Sequence, residues 1–265
     1  MDSIVFQLIS YLQGFSVEFA SFLTFCVCAC SILFLLKGFG HLGLCTYNVL
    51  AVIVANIQVL RLAEYHFFPE PLALGTIVFA TTFLVSDILT EHYGAKAARQ
   101  ALWLSFIAQI LMTVWMVLTL GHPTVDYGKL SCNLADVFSK NDQGMLQIFA
   151  PSPRLLTASL IAYFISQQCD IWLFQKIRGL SHNRFVWLRQ NLSTSLSGLL
   201  DNFIFGLIAW VILSPTPLSF SLFFSSYVIA SYILRMVVNA AGTPVMYLSY
   251  HCLPKADKNT RIQQT

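Results

Sequence analysis

LALGTIVFATTFLVSDILTE, residues 72–91, is long enough to cross a bilayer's hydrocarbon core as one helix, yet it holds Asp87 and ends on Glu91. A carboxylate in that layer costs roughly 2.5–3.5 kcal/mol on insertion scales, so it faces a bundle interior or a wet cavity instead of lipid. Two more stretches repeat the pattern. Asp170 lies within RLLTASLIAYFISQQCDIWLF (154–174), and Asp201 within LSTSLSGLLDNFIFGLIAW (192–210). Three acids on three separate apolar stretches imply a polar site inside a membrane bundle.

Composition agrees. Of the 265 residues 57% are hydrophobic and 10% charged, against about 25% charged in soluble domains. The chain therefore reads as an all-α integral membrane protein. Apolar runs mark seven spans, near 17–36, 44–62, 72–90, 101–120, 155–175, 194–213 and 220–248. The expected organisation is an N-terminal extension with one transmembrane helix (1–43), a six-helix core (44–252) and a tail (253–265). The first run has no basic leader and no small-residue cleavage site, so it reads as a retained helix. Ser214-Pro-Thr-Pro217 marks a turn before the last span.

The basic residues predict orientation. Lys37, Lys96, Arg99, Lys176, Arg178, Arg184, Arg189, Lys255, Lys258 and Arg261 fall on one side. Arg61, Lys129, Lys140 and Arg154 fall on the other, and Arg235 lies mid-span. The positive-inside bias places the N-terminus outside and the C-terminus in the cytoplasm. The net charge of +3 is spread over short loops, which does not indicate a nucleic-acid partner. The long external connection (121–153) is either a passive connector or a short amphipathic segment built on Leu134, Val137, Phe138, Met145, Ile148 and Phe149.

Six of the seven cysteines sit in or beside apolar runs and read as small buried hydrophobes. The alternation of Cys26, Cys28 and Cys30 scatters thiols around a helix, so no metal or other cofactor is expected.

Polar residues recur at helical spacing on several spans: Asn48 and Asn56; Thr76, Phe83, Asp87 and Glu91; Ser159, Tyr163, Gln167 and Asp170; Thr194, Ser197, Asp201 and the adjacent Asn202; Ser231, Arg235, Asn239 and Thr243. Three readings compete: hydrogen-bonding glue between helices, worth about 0.6 kcal/mol per contact; neutralisation of one aspartate by Arg235; and a ligand or ion site. Three acids against one mid-span base leave a surplus, which favours a site. A donor-rich planar heterocycle suits it, because a carboxylate accepts two parallel N–H bonds, Asn or Gln reads a carbonyl, and Phe or Tyr covers the ring.

The run TTFLVSDILTEHYGAKAAR (81–99) has an Asp, a Glu four residues on, then Tyr-Gly and a basic end. PSPRLLTASLIAYFISQQCDIWLFQKIR (151–178) opens on an Arg, carries an Ala-Ser run with Ala-Tyr, then a Gln and an Asp three residues apart. WLRQNLSTSLSGLLDNFIFGLIAW (187–210) starts with Trp, contains Ser-Thr and has a central Asp. In this order the three segments resemble the queuosine precursor transporter family, of the vitamin-uptake-transporter type. The resemblance implies import of a 7-deazaguanine nucleobase across the inner membrane for salvage into tRNA modification. Carried over, the motif positions are Asp87, Glu91, Arg154, Gln167, Asp170, Ser193, Thr194 and Asp201. The span 17–36 lies outside the shared core.

The expected substrate-binding set is thus Asn56, Phe83, Asp87, Glu91, Tyr163, Gln167, Asp170, Thr194, Asp201, Asn202, Arg235 and Asn239, with Arg154 gating the external mouth. Alternatives within transport are another vitamin or nucleobase carrier, or the substrate-binding subunit of an ATPase-energised importer. An enzyme is not expected, because no Gly-rich phosphate loop, His-Glu-x-x-His or Asp-x-x-Asp pair is present. Membrane lipid surrounds the chain, and the sequence sets no oligomeric state.

Overall fold

The computed structural model describes residues 2–68, 71–126, 132–149, 153–182, 184–213 and 229–254. Among them are eight α-helices: α1 (Asp2–Gln13), α2 (Val17–Gln58), α3 (Gly75–Tyr93), α4 (Ala95–Gly121), α5 (Cys132–Phe149), α6 (Pro153–Leu180), α7 (Val186–Gly206) and α8 (Ile229–Cys252). A π-helical turn, Leu207–Ile212, continues α7. Two short strands, β1 (Leu62–Ala63) and β2 (Leu72–Ala73), pair antiparallel between α2 and α3. The protein is an all-α, multi-pass membrane protein.

Two of the expected spans form α2. Its backbone breaks at Gly40 (φ 56°, ψ −132°), a combination that side-chain-bearing residues avoid. The chain reverses there. Gly43 lies so close to Leu35 that a Cβ would collide with the Leu35 carbonyl, and Ser21 Oγ meets Tyr65 Oη at 2.8 Å, just beyond the second arm. A straight helix would hold Gly43 about 12 Å from Leu35. The arms, 17–39 and 41–58, are therefore an antiparallel pair.

α3 is the hub. It packs on α2, α4, α6, α7 and α8, and 16 of its 19 residues are buried. Gly94 (φ 84°) ends it and lets α4 begin at once in a new direction. The core joins Ile32 and Leu36 of the first α2 arm to Ile88 and Leu89 of α3, Phe174 of α6 and Met246 of α8.

Among the described residues only α2, α4 and α7 with its extension are long and apolar enough to cross a bilayer on composition alone. Apolar helices by themselves therefore do not supply the expected six-plus-one count. Residues 72–73, expected to open the third span, are strand, and α2 ends at Gln58 instead of 62. α7 begins eight residues before the expected 194, because the apolar reading excluded Arg189, whose charge is matched within the bundle. The long connection contains α5, whose Leu134, Val137 and Phe138 are exposed and whose end, Ile148 and Phe149, lies over α2 and α4. Among the cysteines Cys28 and Cys45 are buried but Cys30 faces outward, so burial holds only for some. The Ser214–Pro217 turn, residues 220–228 of the last span and most of the 253–265 tail lie outside the described residues.

Gly40→Ala should cost about 1–3 kcal/mol, since it forces a Cβ into this backbone conformation. Gly38→Ala, where a Cβ meets open space, should leave the melting temperature of the detergent-solubilised protein unchanged. Equal melting of both variants would contradict the reversal at Gly40.

Candidate functional site

α3 and α6 run toward the basic end of the bundle, where Lys96 and Arg178 lie, and α7 runs the opposite way. Each helix turns one polar row inward at intervals of about four residues, one helical turn. On α3 the row is Phe79, Phe83, Asp87 and Glu91; on α7 it is Arg189, Ser193, Ser197 and Asp201. Antiparallel packing stacks these rows into three levels.

At the basic end Glu91 accepts from Arg189 Nη2 at 2.7 Å and from Tyr250 Oη at 2.6 Å, with Arg178 Nη1 3.9 Å away. Arg189 is only 1% exposed, and its guanidinium lies over the Phe174 ring. A second link, His92 Nε2 to Ser249 Oγ at 2.7 Å, joins α3 to α8 beside it.

One turn inward Asp87 and Asp170 adjoin each other, 1% and 0% exposed. Thr194 Oγ1 donates to Asp87 Oδ2 (3.1 Å) and Ser197 Oγ to Asp170 Oδ1 (2.8 Å). The other two carboxyl oxygens, Asp87 Oδ1 and Asp170 Oδ2, have no hydrogen-bond donor among the described residues.

At the third level Arg235 Nη2 meets Asp201 Oδ2 at 2.6 Å, and Ser166 Oγ donates to Asp201 Oδ1 at 2.9 Å. The guanidinium lies 4.8 Å from the centre of the Phe79 ring and 5.8 Å from that of Phe83. Its Nε and Nη1 donors have no partner among the described residues.

Above this pair a cavity of about 360 Å³ reaches toward the β1–β2 end of the bundle. Its lining runs from exposed Leu60 and Leu62 down to Asp201 and Arg235, with Asn56, Ser159, Asn202 and Ser231 on the way. That volume is within the usual range for small-molecule pockets, roughly 300–1000 Å³.

Four expected binding residues therefore line the cavity: Asn56, Asp201, Asn202 and Arg235. Phe83, Thr194 and Asn239 line a small crevice that also touches Arg235. Tyr163 packs its ring on Phe79 and accepts from Asn48 at 3.0 Å, one layer behind the cavity. Gln167 Nε2 donates to Thr82 Oγ1 at 3.1 Å, and Asn239 Nδ2 to the Asn191 carbonyl at 3.4 Å, both as links between helices. Glu91, Asp87 and Asp170 lie below the cavity, and Glu91 is engaged by arginines. Arg154 is in the first turn of α6, and its side chain lies outside the described residues. The neutralisation of one aspartate by Arg235 is as expected, and the partner is Asp201.

Sequence reasoning missed Arg189, Phe79 and Tyr250. Arg189 reads as a loop cation, although its four-residue spacing from Ser193, Ser197 and Asp201 marks the same inward face. Among the described residues no cluster of three or more His, Cys, Asp or Glu side chains is arranged to hold a metal ion.

Residues 73–249 match the family described as "Putative vitamin uptake transporter". The chain belongs to that family. Apart from Tyr250, the residues of all three levels fall within the matched region. A Bacillus subtilis (strain 168) protein named "Probable queuosine precursor transporter" is 29% identical over 232 residues, covering 86% of this chain and 93% of its own. A Haemophilus influenzae (strain ATCC 51907 / DSM 11121 / KW20 / Rd) protein of the same name is 24% identical over 136 residues, 51% of each chain. No solved structure matches.

Removing one partner of a buried ion pair strands the other charge, at a cost of about 3–5 kcal/mol. Arg189→Met should therefore lower the melting temperature sharply, and adding Glu91→Gln to it should recover most of the loss. If the single variant melts like the wild type, Arg178 alone suffices for Glu91.

Proposed function

We propose that this protein imports a queuosine precursor, a 7-deazaguanine nucleobase, across the cytoplasmic membrane. The observation that carries the reading is the floor of the cavity, where a carboxylate and a guanidinium with two unpartnered donors meet beneath an aromatic ring. A guanine-like edge presents a carbonyl oxygen beside two N–H donors. Arg235 complements the carbonyl and Asp201 accepts the donors, in exchange for the hydrogen bonds from Ser166 and Arg235 it now holds. Phe79 supplies a ring face, and Asn56 and Asn202 supply amides along the wall. The names of the two relatives support the substrate class. The family's description also covers vitamin uptake, so a vitamin is the competing cargo.

The basic end faces the cytoplasm in this reading, following the positive-inside bias, with the C-terminus inside and the N-terminus outside. The cavity then opens outward. Glu91 with Arg189, Arg178 and Tyr250 closes the inner side, and release requires that closure to part. A carrier with its site near mid-membrane and alternating access to either side works in this way. No cofactor enters the scheme, and the reading is a carrier, not an enzyme.

The test is complementation. The chain is expressed in cells lacking both deazaguanine synthesis and their own importer, and queuosine is assayed in tRNA. At least one of 7-cyano-7-deazaguanine, 7-aminomethyl-7-deazaguanine and queuine should restore it. Arg235→Gln and Asp201→Asn should each reduce rescue at least tenfold at equal membrane abundance. Failure of all three precursors with the protein present in the membrane would exclude this cargo. Wild-type rescue by both variants would remove the cavity floor from the mechanism.

A further inference from the structure

We propose that the Asp87–Asp170 pair is a proton-binding site and that this carrier moves its substrate together with a proton. The second half of the statement rests on the carrier reading above; the first half does not.

The charges of the bundle interior sort into pairs except here. Glu91 has Arg189, and Asp201 has Arg235. Among the described residues no Lys, Arg or His comes within ion-pair distance of Asp87 or Asp170. Both side chains are fully enclosed, and each has one oxygen held by a hydroxyl and one with no donor. Two adjacent carboxylates without a cation repel each other, and lone pairs buried without donors are costly. One proton resolves both. It adds to one of the two unpartnered oxygens, and the new O–H donates to the neighbouring carboxylate. The charge of the pair falls from −2 to −1, and the protonated oxygen becomes a donor to its neighbour.

The surroundings are otherwise neutral or already committed. α2 brings Tyr47, whose hydroxyl is bonded to Thr81, and α4 brings Ser105 and Gln109. α6 adds Tyr163. α7 brings Arg189 and Asp201, and α8 brings Arg235 and Tyr250; each arginine pairs through Nη2 with an acid of the level above or below, and the Nε and Nη1 of both have no partner among the described residues.

The pair also lies between the two levels that must change during transport. Thr194 and Ser197, its hydroxyl donors, belong to the same α7 face as Arg189 and Asp201. A site charged in one state and neutral in the other is thus tied to the helix that links the cavity floor to the inner closure.

Two measurements test this. In infrared spectra of the purified full chain in lipid, the carbonyl band of a protonated carboxylic acid should be present at neutral pH. It should vanish in Asp170→Asn and in Asp87→Asn and persist in Asp201→Asn, whose charge is paired. Retained amide bands and melting show that the variants are folded. A band absent from the wild type, or unaffected by both substitutions, overturns the site. In vesicles, an external medium one pH unit more acidic than the lumen should drive up to about tenfold accumulation of labelled queuine. Asp170→Asn should lose the response to the gradient. If the wild type exchanges labelled queuine across the membrane but ignores a proton gradient, coupling fails while the carrier stands. Accumulation that follows a sodium gradient instead also overturns it. If the wild type neither accumulates nor exchanges queuine, the queuine-carrier reading and its coupling fall together, and the infrared result still decides the site.

Discussion

Placing a carboxylate in hydrocarbon without a partner costs more than any single packing contact returns, and four acids in this chain face that constraint. Lipid offers no donor, so each acid must find one on another helix. Glu91 finds Arg189 and Tyr250, Asp201 finds Arg235 and Ser166, and Asp87 and Asp170 take hydroxyls from α7. These partners come from α6, α7 and α8. Satisfying them pulls three helices around α3 and sets their order and register.

The remaining helices do different work. α2 and α4 are apolar on nearly every side and carry few buried polar residues, among them Asn48, Ser105 and Gln109. Asn48 Nδ2 reaches both Ser105 Oγ (2.9 Å) and Tyr163 Oη (3.0 Å), so one amide ties α2, α4 and α6 behind the cavity. The bundle divides into a lipid-facing shell and a polar interior lining. Among the described residues α3, α6 and α8 fall short of a span on apolarity, and each buries polar side chains: Asp87 and Glu91 on α3, Gln167 and Asp170 on α6, Asn239 and Ser249 on α8.

Much of this was legible in the sequence because helical spacing survives folding. Asp87, Asp170 and Asp201 do turn inward, and Arg235 does meet an aspartate. Arg189 was not legible as an interior residue, because a cation near the end of an apolar run is normally a loop cation, and the apolar window at 194 left it outside. What reverses that reading is a partner on another helix, Glu91, which no local pattern shows. The same limit applies to Glu91, where spacing from Asp87 gave the face but not the level. The reversal at Gly40 was legible only as a gap between two apolar runs, since its geometry depends on one residue's backbone angles. Strand pairing at Leu62–Ala63 and Leu72–Ala73 is two residues long, too short for alternation to register.

α7 touches every level of the interior. Arg189, Thr194, Ser197 and Asp201 span three turns of it; the first three hold acids of α3 and α6, and Asp201 holds Arg235 of α8. A rigid helix cannot adjust one of these contacts alone. A displacement that lengthens the Arg189–Glu91 contact by an ångström also shifts Thr194 from Asp87 and Ser197 from Asp170, because all share one backbone. Phe205 and Gly206 line the cavity, and beyond them the helix continues as a π-helical turn, a form frequent at functional sites. In the proposed carrier, occupation of the cavity, protonation of the middle pair and parting of the basic-end contact would be linked through this helix.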